Sequence, residues 1–204
     1  MTASPTDSPR PAGRYPKGIA RRQEILDKTI EVFAKRGSRK TSLRAIAEEV
    51  GVTHAALSHY FGSLEELLVA VYRESERRSN HTEPVTPDMS PAMMMRVSAE
   101  ENRSIPGLVQ LYSTLVATAL EENHPAANEF ATQRFTRLRA EMADRVRELQ
   151  ASGRLRTDLD PELVSALVIA ASDGLQTQWL LDESVDHGAA LELLDRLLAG
   201  DARA

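Results

Sequence analysis

Apolar residues recur along this chain every three to four positions and almost nowhere every second one. That period belongs to helices packed by one face, so the pattern predicts an all-α chain without strands. A first helix is expected over residues 18–36, with Ile25, Leu26, Ile30 and Phe33 on one face and Gly37 ending it. A shorter helix follows, its apolar face made of Leu43, Ile46, Ala47 and Val50, with Ser42 or Thr41 placed to cap it. Gly51 stands where that helix must stop in a left-handed residue, Val52 anchors the turn, and Thr53 caps a third helix. The third helix buries Leu57 and Phe61, one turn apart. Ser63-Leu64-Glu65-Glu66 has the form of a capping box and opens a fourth helix that reaches about Arg78. Residues 80–91 read as a linker, because Pro84, Pro87 and Pro91 lack the amide a helix needs. Five more helices are expected over 92–102, 106–123, 125–152, 161–181 and 188–198. Gly153 closes the third of these, and Asp160-Pro161 opens the fourth with a cap and a proline at the first helical position. The expectation is about nine helices.

The second and third helices, hinged at Gly51, have the shape of a helix-turn-helix. An ordinary helical hairpin would share the turn but would give its second helix a second apolar face. Here the leading and outer positions are His54, Ala55, Ala56, Ser58 and His59. Small residues let such a helix press close to base edges in a major groove, while hydroxyls and imidazoles reach acceptors there. Packing against the first helix is the alternative for His59 and Tyr60.

The net charge of −5 changes meaning once it is divided. From Arg10 to Ser63, eleven Lys/Arg stand against five Asp/Glu, a surplus of +6; from Leu64 onward 14 stand against 24, or −10. A basic head on an acidic body suits a phosphate-binding module joined to a different domain. With no cysteine, disulfides and thiolate metal sites are excluded, which suits a reducing cytoplasm. The Pro/Ser-rich N-terminus lacks the apolar stretch of a secretory signal, and no apolar run approaches a membrane span. His124, Glu121 and Glu122 lie close together, yet no nucleophile–base set or metal-ligand spacing is present, so neither an enzyme nor a cofactor is expected. Three regions follow: 1–17, a disordered Pro/Ser-rich basic arm; 18–63, the DNA-binding head; 64–204, a regulatory and dimerisation body.

Residues 18–72 resemble the DNA-binding region of the TetR/AcrR family of bacterial transcription regulators. The likeness is carried by Ile25, Ala34, Gly37, Thr41, Ile46, Ala47, Val50-Gly51-Val52, Leu57, His59-Tyr60-Phe61, Ser63, Glu66 and Leu67-Leu68. Residues 173–181 are similar to the penultimate helix of many members. Two positions depart from the family pattern: Ser58 replaces a frequent tyrosine, and Leu64 replaces a phosphate-touching lysine. That leaves Arg39, Lys40 and Arg44 as phosphate neutralisers. The resemblance implies a homodimer that binds a palindromic operator in double-stranded DNA and is released by a small-molecule effector. Base reading would fall to His54, Ala55, Ala56, Ser58 and His59, and phosphate contact to Thr41, Ser42, Thr53 and Tyr60. Arg10, Arg14 and Lys17 either follow a minor groove or belong to a solvated tail.

The dimer interface is expected on the last two helices, through Leu163, Leu167, Ala170, Ala171, Gly174, Leu175, Leu191, Leu194 and Leu198. A core helix pair within one subunit is the other reading. The resemblance further implies a pocket among the middle helices, with Thr114, Leu115, Phe130, Gln133, Arg134, Arg137, Gln176 and Trp179 on helices that line it. Met93 and Met94, in a cluster with Met89 and Met95, either adapt to an apolar ligand or fill core. Arg134 or Arg137 suits an anionic ligand or forms a surface pair. Repression needs only promoter occupancy; activation, or control by a protein partner, keeps the same head.

Overall fold

The computed structural model describes residues 14–36, 42–79, 86 and 88–200. Among these residues there are nine helices and no strand: α1 (Arg14–Arg36), α2 (Leu43–Val50), α3 (His54–Phe61), α4 (Leu64–Ser79), α5 (Pro91–Ser104), α6 (Leu108–Thr118), α7 (Pro125–Ala151), α8 (Pro161–Leu181) and α9 (His187–Leu198). An isolated antiparallel bridge joins Leu155 to Ala199 and ties the end of α9 to the turn after α7.

Local chemistry sets most boundaries. Ser42 and Thr53 accept from the amides of Ala45 and Ala56, at 3.2 and 3.1 Å. Gly51 takes the left-handed conformation (φ 74°) that ends α2. Ser63 and Glu66 close their capping box reciprocally, each bond 3.1 Å long. Asp160 and Asp186 cap α8 and α9 through the amides of Leu163 and Ala189, both at 2.9 Å.

Several boundaries differ from the sequence expectation. α1 opens at Arg14 rather than Gly18, because Pro16 falls in the first turn, where its missing amide costs no hydrogen bond. Arg14 and Lys17 therefore belong to a helix and not to the arm. Pro91 is not linker: Ser90 caps α5 through the Met93 amide at 3.1 Å, with Pro91 at its start. α6 stops at Thr118, and the chain turns through a left-handed Asn123 (φ 67°) before α7. α9 starts one residue early, at His187, which is fully buried with neither ring nitrogen partnered. Arg10, Gly37, Arg39, Lys40, Thr41, the side chains of Phe33 and Ala34, and the linker residues 80–85 and 87 lie outside the described residues.

Two hydrophobic clusters organise the molecule. One joins α1–α4 to α6 and the first half of α7, from Ile25 through Leu57, Leu67 and Tyr72 to Phe130. The other packs α5, the second half of α7, α8 and α9 around Met142, Val168 and Leu191. α4 thus shares its core with both the head and the body.

On α8 and α9 the interface expectation is partly corrected. Leu163, Leu167, Ala170 and Gly174 are exposed along one stripe of α8, and Ala171 and Leu175 are half-buried beside it. Leu191 and Leu198, by contrast, are buried in the subunit's own second cluster, and Leu194 packs against it. The α9 positions that continue the outward stripe are Leu193 and Leu197, one residue before Leu194 and Leu198 in the helical rotation.

Candidate nucleic-acid interface and interior cavity

α3 is held by its apolar face and presents the rest. Leu57 is fully buried and Phe61 nearly so, while Thr53, His54, Ala55 and His59 are exposed and Ala56 and Ser58 half-exposed. His59 and Tyr60 meet edge to face at 6.1 Å and remain open to solvent, so neither is consumed in packing against α1. α1 instead grips the motif through two arginines. Arg21 donates to the Gly51 carbonyl in the turn at 3.1 Å, and the Arg22 guanidinium lies 5.0 Å from the Phe61 ring centre. These contacts fix the turn and the end of α3 from behind, and the sequence signal for them was only a basic pair on α1. Ser42 and Arg44 stand exposed at the start of α2, with Arg44 paired to Glu48 at 3.2 Å, a surface contact worth little. The structure therefore brings together Ser42, Arg44, Thr53, His54, Ala55, Ala56, Ser58, His59 and Tyr60 around one helix-turn-helix. Lys40 and Thr41 lie outside the described residues.

In the body, a cavity of about 330 Å³ lies between α4, α5 and α7. Methionines Met89, Met94, Met95 and Met142 line it with Val97 and Leu138, and Tyr72, Glu76, Arg134 and Arg137 close one side. A separate void of about 10 Å³ adjoins it, bordered by Tyr112, Asp173 and Gln176. Arg134 is the pivot. It is only 8 % exposed, lies against the stacked rings of Tyr72 (5.2 Å) and Tyr112 (4.9 Å), whose centres are 5.1 Å apart, and pairs with Glu76. Its Nε has no partner. Arg137 reaches the same Glu76 oxygen at 3.3 Å. On the far side of these residues an outer groove of about 590 Å³ is lined by Arg73, Arg77, Phe130 and Gln133. Burial pushes both tyrosine hydroxyls well above the usual phenol range, so they stay neutral donors; Tyr112 donates to Asp173 at 3.0 Å.

Of the expected pocket residues, Met94, Arg134 and Arg137 line the cavity, Gln176 borders the small void beside it, and Phe130 and Gln133 line the outer groove. Four do not line it. Met93 turns toward Arg96, Thr114 bonds back to the Gln110 carbonyl, Leu115 is buried in the first core cluster, and Trp179 lies under Arg103. Sequence reasoning missed Tyr72, Glu76, Tyr112 and Asp173. The available signal was a charged residue on an otherwise apolar face: Glu76 lies one turn beyond Tyr72, and Arg134 one turn beyond Phe130.

Comparison with known proteins places these features. Residues 25–71 match the family described as bacterial regulatory proteins, tetR family. Residues 108–201 match the C-terminal region of BetI-type transcriptional repressors. An HTH-type transcriptional repressor of Mycobacterium tuberculosis is 25% identical over 186 residues, covering 84% of this chain and 89% of that protein. The HTH-type transcriptional repressor KstR2 of Rhodococcus jostii is 29% identical, with 76% of this chain and 78% of that protein covered. Among solved structures, a TetR-family transcriptional regulator from Rhodococcus shares the fold at a TM-score of 0.71 and 22% identity, covering 88% and 98% of the two chains. A TetR-family member from Streptomyces coelicolor aligns at a TM-score of 0.65 with 26% identity, over 87% and 98%.

Proposed function

Because the chain belongs to the TetR family of bacterial regulatory proteins, and is on that ground a DNA-binding transcriptional regulator, we propose that it is a repressor that binds an inverted-repeat operator as a homodimer and leaves it when a small molecule fills the interior cavity. The observation that carries this reading is α3: capped at its start, anchored by Leu57 and Phe61, and otherwise offering small and polar side chains to the outside. His54, Ala55, Ala56, Ser58 and His59 read base edges, while Ser42, Arg44, Thr53 and Tyr60 hold phosphates. The exposed stripe on α8 and α9 supports pairing of two copies, since one eight-residue reading helix makes too few contacts for tight specific binding. The cavity supports a small-molecule effector over a protein partner, because it lies between helices of the body and sets a methionine wall opposite a few charged groups.

Selection of bound duplexes from a random pool at two salt concentrations tests the reading. The expected product is an inverted repeat with half-sites about one helical turn apart, roughly 34 Å. His59→Ala should relax preference at one base position, by about 1–3 kcal/mol. Arg44→Ala should weaken all duplexes alike and lower the salt slope by about one unit. Unpatterned DNA released at moderate salt would defeat the proposal of sequence-specific repression.

A further inference from the structure

Resting on the ligand-responsive reading above, we infer that the cavity takes an amphipathic carboxylate whose acid group competes with Glu76 for Arg134 and Arg137, and thereby frees α4 from α7. Of the charged groups on the cavity wall, Arg134 is deeply buried yet only partly satisfied: one nitrogen holds Glu76 while Nε has no partner. A guanidinium only donates, so the group that completes it must accept hydrogen bonds, and a carboxylate accepts them in matching two-pronged geometry. The acidic groups nearby do not call for a cation. Glu76 already holds two arginines, Asp173 receives the Tyr112 hydroxyl, Glu101 has an interaction of its own, and Glu141 is exposed to water. Beyond the arginines, the methionine wall of Met89, Met94, Met95 and Met142 offers a flexible apolar surface for a chain or ring. Arg73 and Arg77 in the outer groove extend the positive approach.

The same residues join the two halves of the molecule. Glu76 lies on α4, which leaves α3 after a single turn, while Arg134 and Arg137 lie on α7. A ligand carboxylate on the free Nε sets a second negative charge beside Glu76 and shares the one guanidinium charge, which weakens the pairing of Arg134 with Glu76. Ligand binding and the α4–α7 fastening therefore draw on one guanidinium, and their coupling is reciprocal.

The test is calorimetric titration of the DNA-free full chain with decanoate, decanol and decyltrimethylammonium, which share a tail and differ in charge. Decanoate should bind at least about tenfold more tightly than either of the others, the margin expected of a charge-assisted hydrogen bond. Glu76→Gln removes the internal competitor and should tighten decanoate binding by about tenfold, whereas Arg137→Gln should weaken it. Arg134→Met tests the pivot directly, and Glu76→Gln keeps the test decisive if that variant folds poorly. Binding of the cation or the alcohol as tightly as the acid, weaker binding by Glu76→Gln, or no binding of any of the three would overturn the inference. Decanoate binding as expected without releasing operator DNA would overturn the coupling to α4. Failure of duplex selection, with decanoate still bound, would instead defeat the repressor reading and leave the site assignment standing.

Discussion

Asp173 carries a carboxyl into the space between α6 and α8, where burial raises its pKa above the usual carboxylate range; the Tyr112 hydroxyl and the Arg134 charge pull it back only in part. A carboxylate whose folded pKa lies above its unfolded value costs stability at neutral pH, and that cost fades as pH falls through the folded and then the unfolded pKa. Asp173→Asn keeps an acceptor for Tyr112 and removes the charge. The variant should melt higher than the parent at pH 7, with the gap closing at acid pH, measured by thermal unfolding across a pH series. His187 works in the opposite window. Its burial, seconded by the Arg103 charge, lowers the ring pKa from 6.5, so stability is lost as pH falls below that value; a buried apolar replacement such as His187→Leu should flatten this limb.

At the scale of elements, the helix-turn-helix depends on three caps and on glycines of positive φ at the ends of α2 and α3. Thr53→Ala leaves the Ala56 amide at the start of α3 without its side-chain acceptor and should cost about 1 kcal/mol in chemical denaturation. These same residues explain why the head could be read from sequence. Ser42, Gly51, Thr53, Ser63 and Glu66 act on amides or turns within three or four residues, so their spacing is the structure. The cavity was legible only in part. Tyr72, Tyr112, Arg134 and Asp173 come from α4, α6, α7 and α8, and nothing local says that their faces converge. Rotation was the other weak point. Helical period marks Leu191, Leu194 and Leu198 as one apolar stripe, but α9 turns that stripe inward against α5 and α8 and leaves Leu193 and Leu197 outside. A helix with leucine on two faces does not declare which face its own subunit covers.

At the scale of the whole molecule, an apolar ridge stands against water. Leu167 is 64 % exposed and Leu197 62 %, with Leu163 and Leu181 on the same outward side of α8. Burying each such leucine is worth about 1.5–3 kcal/mol, so the ridge favours a second copy. Leu167→Glu should give a monomer in sedimentation experiments while leaving helix content and unfolding cooperativity intact, because the residue contributes little to the subunit's own core. The same variant should lose operator affinity with no change in any DNA-facing residue.

α4 is fastened to α7 at both ends. Glu65, in its first turn, accepts from the Ala127 amide and meets His124 at 3.1 Å; Arg73 reaches Gln133 at 3.1 Å; Glu76 holds Arg134 and Arg137. A rod pinned in this way works as a lever. Once the Glu76 pin slackens, the rod can turn about its remaining pin at Glu65, and a tilt of about 5° carried through the joint moves the far end of α3, about 12 Å long at about 1.5 Å per residue, by about 1 Å. The capping box makes the joint with α3 stiff, so the reading helix travels with it. Base-edge hydrogen bonds tolerate about 0.5 Å of that travel. In a molecule geared this way, release from DNA needs no unfolding and no large rearrangement, only the slackening of one pin.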